Sequence, residues 1–546
     1  MDLQRLFLFL IFSVSSMLVW ENWQRAQHPA PAPVTAASGV PTATTALNAA
    51  PAANAAATVA TEVKRASGTK IVVKTDNFVA EINTVGGDLR HLELAQHRDA
   101  KDKSKLFVLM QEQGAHNYLA QTGLLGAGLP THNSAFTSAA TEYSMAAGQN
   151  VLEVRLTATD IPNATVSKVY TFHRGSYVVD VSYEIQNTGA TPIAASAYFQ
   201  LVRDKSAPEG DSKFVPTYTG PAVYTDKEKF QKVDFSNIEK GKTDYPKTAD
   251  NGWVGMLQHY FVSAWLPKDK TQREYYTKAL GNDLFAAGVI VPVAAVAPGQ
   301  SGKVTVPLYA GPAQAKLDEI APGLGLTVDY GWLTIIATPI FWLLTQIQGI
   351  VSNWGVAIIL LTVLIKLAFF PLSAASYRSM AKMRVVAPKL ERIKQKYGDD
   401  RERLHKEMME LYKTEKINPL GGCLPMLIQI PVFIALYWSI LSSVEMRHAP
   451  FVGWITDLSA ADPYYILPLA MAISMFIQTK LNPTPADPLQ AKLMQIMPLV
   501  FAVVFFFFPA GLVLYSIVNN ALSIAQQWYI TRSLESAPKG AANDPR

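Results

Sequence analysis

Between residues 351 and 530 the chain carries five apolar stretches, at 351–372, 421–441, 464–479, 493–508 and 511–530. This spacing excludes most folds, because stretches of this length satisfy their own backbone as helices and are long enough, or nearly so, to span a bilayer. The third and fourth are short. At about 1.5 Å per residue they cover about 24 Å against a hydrocarbon core of about 30 Å. Ahead of them, residues 332–348 are apolar but interrupted by Pro339, with Trp332 and Trp342 nearby. That pattern predicts an interfacial amphipathic helix over 323–349 rather than a further span.

The spans are not the whole molecule. A mean hydropathy of +0.12 over 546 residues is modest for a purely membrane-embedded chain, and the length predicts at least two structural units. From 67 to 322 the pattern changes to period two. Tyr177, Val179, Val181, Tyr183 and Ile185 alternate with Val178, Asp180, Ser182, Glu184 and Gln186, and the run stops at Asn187-Thr188-Gly189, a turn signal. Leu152, Val154 and Leu156 repeat the pattern, as do Val304, Val306 and Leu308. Half-buried strands of this kind pack as an antiparallel sandwich. Residues 26–66 are nearly all Ala, Pro, Thr, Ser, Val and Asn, a composition for an extended tether. Before it, residues 1–25 contain an apolar segment ending Met17-Leu18-Val19-Trp20. Without a small-residue cleavage site it reads as an uncleaved transmembrane anchor, with a removed signal peptide as the alternative.

Orientation follows from charge. The connection 373–419 holds twelve lysines and arginines against seven acids, whereas the loop at 442–463 has Arg447 alone among Lys and Arg. The positive-inside rule puts 373–419 in the cytoplasm, which makes the β-domain external and the C-terminal tail, 533–546, cytoplasmic. Leu404, Met408 and Leu411 give the basic connection an apolar stripe, so two helices broken near Gly398-Asp399-Asp400 form a projecting hairpin.

A search for enzyme chemistry finds no G-x-x-x-x-G-K-[ST], H-E-x-x-H, C-x-x-C or G-x-S-x-G, and a single cysteine, Cys423. Neither catalysis nor a cofactor or metal site is expected. The unusual residues are polar groups within the spans. Lys366 sits in the first, with Thr362 and Ser373 at spacings that place all three close to one helix face. A snorkelling lysine reaching the cytoplasmic headgroups and a functional buried cation both fit that helix alone. In the last span Ser516, Asn519, Asn520, Ser523, Gln526 and Gln527 form a polar stripe, and Gln429 adds an amide in the second. Such stripes face protein or water. Interhelical hydrogen bonding is one explanation. A hydrated cavity reached from the cytoplasm is the other, and the lysine favours it.

Several segments resemble the YidC/Oxa/Alb family of membrane insertases, in its Gram-negative form, over essentially the full length. They are Asn418-Pro419-Leu420-Gly421-Gly422-Cys423-Leu424-Pro425 with Gln429-Ile430-Pro431-Val432-Phe433, Ser379-Met380-Ala381-Lys382-Met383, Asp462-Pro463-Tyr464-Tyr465-Ile466-Leu467-Pro468, and Pro509-Ala510-Gly511-Leu512-Val513-Leu514-Tyr515. The resemblance implies a polytopic α-helical membrane protein with a large periplasmic β-supersandwich and a five-helix core over 350–532. It also implies a hydrophilic groove open to cytoplasm and lipid, bearing Lys366, Thr362, Gln429, Tyr515, Ser516, Asn519, Asn520 and Ser523. Lys366 stands where the family usually has arginine, keeping the charge without the planar fork. Ser516 replaces the second tyrosine of a frequent Tyr-Tyr pair. Clients leave for lipid along a slide that includes Pro431, Phe433, Pro498 and Phe505. The implied function is insertion of inner-membrane proteins, alone or with the Sec translocon. Nascent membrane proteins and membrane lipids are partners, and a weak ribosome contact falls on the hairpin and short loops, because the tail lacks a basic cluster. A secondary transporter would show repeats between helix sets, and none is visible. A membrane-anchored periplasmic carbohydrate-binding protein would not need five spans and a basic hairpin.

Overall fold

The computed structural model describes residues 68–113, 116–208, 217–328, 330, 333–398, 400–415, 424–481 and 488–535. The expected anchor and tether, Trp332, the segment 416–423 with Cys423, and all but the first three residues of the tail lie outside the described residues. The described residues form two compact units, one lying within Met1–Gly210, Thr219–Leu257 and Ser263–Gly311, the other within Asp211–Tyr218, Gln258–Val262 and Pro312–Arg546.

The first unit is a β-sandwich of a ten-stranded and a nine-stranded sheet. Among the described strand pairings all are antiparallel except Lys70–Lys74 with Glu142–Ser144. Alternation sets the faces. Val179, Val181, Tyr183 and Ile185 are buried on strand Val178–Asn187, as are Leu152, Val154 and Leu156 on Val151–Ala158. The turn signal closes as expected, with the Gly189 amide donating to Asn187 Oδ1 at 2.9 Å. Strands Trp253–Gln258 and Phe261–Trp265 differ, being buried at every position. A short helix, α1 (Phe235–Glu239), belongs to the same unit.

Aromatic rings fill much of the space between the sheets, among them Phe199 against Trp265 with centroids 5.2 Å apart. A polar chain is buried with them. Lys168, on the nine-stranded sheet, donates to the Gly86 carbonyl at 3.0 Å and stands 3.9 Å from the Asp88 carboxylate of the other sheet. Gln121 donates to Asp88 at 3.0 Å and Gln200 to Gln121 at 3.0 Å. The faces of Phe136, Tyr170 and Tyr183 surround the ammonium. Burial pushes Lys168 down to about 8, against the pull of Asp88 in the opposite direction.

The second unit is helical. Helix α2 (Thr334–Val351) buries Ala337, Phe341, Leu344 and Ile347 and leaves Ile335, Trp342 and Ile350 exposed. Among the described residues it is the one helix that is by itself long and apolar enough to cross a membrane. It ends at Ser352, whose φ of 54° is left-handed, and Asn353 caps α3 (Trp354–Ala368) by accepting from the Val356 amide at 3.0 Å. The α4 helix (Phe370–Tyr397) follows after a bend of 66°. Pro371, at the start of α4, cannot donate to the carbonyl four residues back, so the chain turns there. This corrects one expectation: Ser373 lies on α4, and the face it was to share with Thr362 and Lys366 is broken by the bend.

Helix α5 (Arg401–Thr414) starts at Asp400, which accepts from the Arg403 amide at 3.1 Å, and Lys389 pairs with Glu415 at 2.6 Å. These contacts make α4 and α5 an antiparallel hairpin. The remaining helices are α6 (Leu424–Ser442), α7 (Ile466–Leu481), α8 (Pro488–Phe505) and α9 (Ala510–Glu535). Asp462 sets the start of α7. Its buried carboxylate accepts from the Tyr464 and Leu467 amides and from the Trp454 indole at 2.7 to 3.0 Å.

Candidate functional site

The polar stripe of α9 resolves into one buried edge, Ser516, Asn520, Ser523 and Gln527, with Asn519 and Gln526 half-buried beside it. Steps of four, three and four residues keep that edge on one face of a 3.6-residue helix. Its serines first satisfy themselves. Ser516 Oγ donates to the Leu512 carbonyl at 2.8 Å and Ser523 Oγ to the Asn519 carbonyl at 2.7 Å. Thr362 on α3 does the same with Ile358 at 2.6 Å and is 1% exposed. A hydroxyl has one hydrogen, so each of these oxygens is left as an acceptor.

Three neighbouring helices use α9 as a polar partner. From α3, Lys366 Nζ donates to Ser523 Oγ at 2.7 Å. On α6, the Gln429 amide donates to the Tyr515 hydroxyl, and Tyr515 is buried. To α7, Asn520 donates to Ser474 Oγ at 3.2 Å and Gln527 to the Leu481 carbonyl at 3.1 Å. Lys366 is 9% exposed, and among the described residues no carboxylate lies within ion-pair distance of it. An ammonium has three donors. One is spent on a neutral hydroxyl, and the others remain for water or an anion.

An apolar wall adjoins the polar bonds. Phe433 on α6 packs against Tyr515 at 6.3 Å and against Phe505 on α8 at 6.5 Å, and Phe505 meets Phe508 at 5.6 Å. Met471 and Val513 complete the cluster. Of the four expected slide residues, Phe433 and Phe505 therefore come together. Pro498 is buried and Pro431 half-buried within their own helices. The exposed face of α8 is formed instead by Ile496, Leu499, Val500, Val503 and Val504.

Two participants were not read from the sequence. Ser474 receives Asn520, yet it also donates to its own Met471 carbonyl at 2.7 Å, the ordinary behaviour of a serine in an apolar helix, so nothing in the sequence marks it. Tyr377 of α4 packs with Ala374 and with Ile530 of α9. It became reachable because the bend after Ala368 redirects the chain.

Comparison with known proteins gives consistent matches. The family model described as "YidC periplasmic domain" matches residues 70–343, and that described as "60Kd inner membrane protein" matches 346–537. A relative named membrane protein insertase YidC in Nitrosospira multiformis is 55% identical, with 98% of each chain covered. One of the same name in Methylobacillus flagellatus is 57% identical, again with 98% of each covered. Among solved structures, a crystal structure of an active YidC insertase with its first transmembrane domain resolved is 17% identical, at a TM-score of 0.37, covering 85% of this chain and 95% of the other.

Proposed function

Taking as premise that the chain belongs to the YidC family of membrane protein insertases, we propose that the α3, α6, α7, α8 and α9 helices form a groove that receives a client's polar segment at Lys366. The family is one of insertases and not of catalysts. The chain is accordingly an inner-membrane protein with a periplasmic domain, and its substrates are nascent membrane proteins delivered into lipid. Neither a transporter nor a carbohydrate-binding protein is supported by matches that run over the whole length under the insertase name.

The observation that carries the reading is a nearly buried ammonium whose described partner is a hydroxyl and not an acid. In a low-dielectric setting such a charge attracts an acidic residue strongly. Thr362, Gln429, Tyr515, Ser516, Asn519, Asn520 and Ser523 supply acceptors and donors for the rest of the polar segment. The client's apolar segment leaves past Phe433 and Phe505, with Pro431 and Pro498 on the same two helices. Short helices assist. At about 1.5 Å per residue α3 covers about 22 Å and α7 about 24 Å, less than the hydrocarbon thickness, so the bilayer thins beside the groove and the barrier to moving polar residues falls.

The basic α4–α5 hairpin and the C-terminus lie in the cytoplasm, and α2 lies along the outer interface. The hairpin and short loops carry a weak ribosome contact, and the insertase acts alone or with the Sec translocon. Photocrosslinkers at Thr362, Gln429 and Ser516 test the groove. A stalled nascent membrane protein is expected to crosslink from all three and not from exposed Ile335 on α2. Crosslinks absent from the three, or as strong from Ile335, would remove the groove from the mechanism.

A further inference from the structure

Lys366 has a long flexible stem, and nothing in its own helix keeps the ammonium inside the protein. Four methylenes allow a lysine near a helix end to swing its charge to the headgroups. In this structure it does not swing. It ends on Ser523 Oγ, 157 residues away in the sequence, at 2.7 Å.

The orientation of that hydroxyl is determined. Its single hydrogen goes to the Asn519 carbonyl at 2.7 Å, so the oxygen presents lone pairs outward. Lys366 from α3 takes one of them. Ser523 thus ties α3 to α9 and is buried at 4% exposure. The ammonium also keeps two donors free of Ser523, so an arriving acid binds it by a charge-assisted hydrogen bond without displacing the hydroxyl or breaking an ion pair.

We infer that Ser523 is a positioning residue for insertion, a placeholder that holds the Lys366 ammonium at one depth in the groove while its two remaining donors take the client's carboxylate. This rests on the reading of Lys366 as the client-binding charge. Its specific content is that the hydroxyl at 523, and not the lysine alone, sets selectivity for acidic clients.

The test uses full-length protein in cells depleted of their own insertase. It compares two clients that differ by a single Asp→Asn change in the translocated segment. Ser523→Ala and Ser523→Val are expected to lower insertion of the acidic client about fivefold, the factor that one lost hydrogen bond of modest net strength corresponds to. The neutral client is expected to insert normally, and Ser523→Thr, which keeps the hydroxyl, to restore the acidic client. Equal loss for both clients would make Ser523 a packing residue and overturn the inference, as would normal insertion of the acidic client by both Ser523→Ala and Ser523→Val. Lys366→Ala in the same assay separates the levels. If it is selective while Ser523→Ala is silent, the placeholder alone fails. If Lys366→Ala spares the acidic client, the underlying reading fails and the placeholder with it.

Discussion

Lys168 in the β-sandwich and Lys366 in the helical unit are both lysines taken out of water, and the protein treats them in opposite ways. Lys168 is fully buried, faces Asp88 across the two sheets, bonds a carbonyl and is ringed by aromatic faces. Lys366 retains slight exposure and one described hydroxyl partner, with no acid beside it among the described residues. A buried charge that is answered in place holds the fold together. One that is left unanswered is available to a ligand. On the proposed reading of Lys366, the difference between them separates a lysine that serves the fold from one that serves the client.

The sharpest way to break this comparison is to treat the sandwich as the groove is treated, by removing the acid. Asp88→Asn leaves the Lys168 charge buried without compensation and is expected to destabilise the β unit by about 3–5 kcal/mol. Hydrogen exchange on the strand Ala164–His173 in the full-length protein measures this. At the other lysine there is no acid to remove, and deleting the lysine itself, Lys366→Ala, is expected to leave the protection of α9 within about 1 kcal/mol, because no ion pair is lost.

A smaller effect is a pH dependence confined to the sandwich. The folded-state pKa of Lys168, at about 8, lies below its ordinary value of 10.5. Between these limits the unfolded chain holds a proton that the folded protein has released, so stability rises with pH through that window and is least favoured below it. Relative to Lys168→Met, the β unit should gain about 2 kcal/mol between pH 8 and pH 10 in urea titrations read by pulsed exchange on the same strand. The comparison stops at pH 10 because burial pushes Tyr170 and Tyr183 well above their usual range, and above that pH their effect has the opposite sign. A flat difference would mean that Lys168 is not held down by burial.

The smallest expected effect belongs to the neutral bonds of the core. Asn520→Leu breaks the bond to Ser474, and interhelical bonds of this kind are worth about 1 kcal/mol or less. Exchange protection of α7 should fall by no more than that. A loss as large as that of Asp88→Asn would show the helical unit to be held together by polar pairs in the way the sandwich is.

Much of this was legible in the sequence, and the exceptions have physical causes. Strand Val178–Asn187 was readable because alternate residues meet core and water, and the turn after it because Asn187 and Gly189 supply the chemistry of a reverse turn. Trp253–Gln258 and Phe261–Trp265 gave no alternation because both faces are buried, so period two had nothing to record. Buried partners such as Asp88 and Lys168, distant in sequence and on different sheets, leave no local signal. In the helical unit, Lys366 and the α9 stripe were visible because polar groups in an apolar span are costly. Their partners were not. Ser474 resembles any self-bonded serine, Tyr377 was hidden behind the bend at Pro371, and the same bend moved Ser373 off the face of Lys366.

The central claim is that the position of Lys366 is open to the cytoplasmic side and to clients. A Lys366→Cys variant in a Cys423→Ser background, exposed to a membrane-impermeant maleimide in inverted vesicles and in spheroplasts, tests it directly. The account predicts labelling in inverted vesicles, loss of that labelling when a stalled client occupies the groove, and none in spheroplasts. Labelling from the outer side, or none from the inner side, would contradict it.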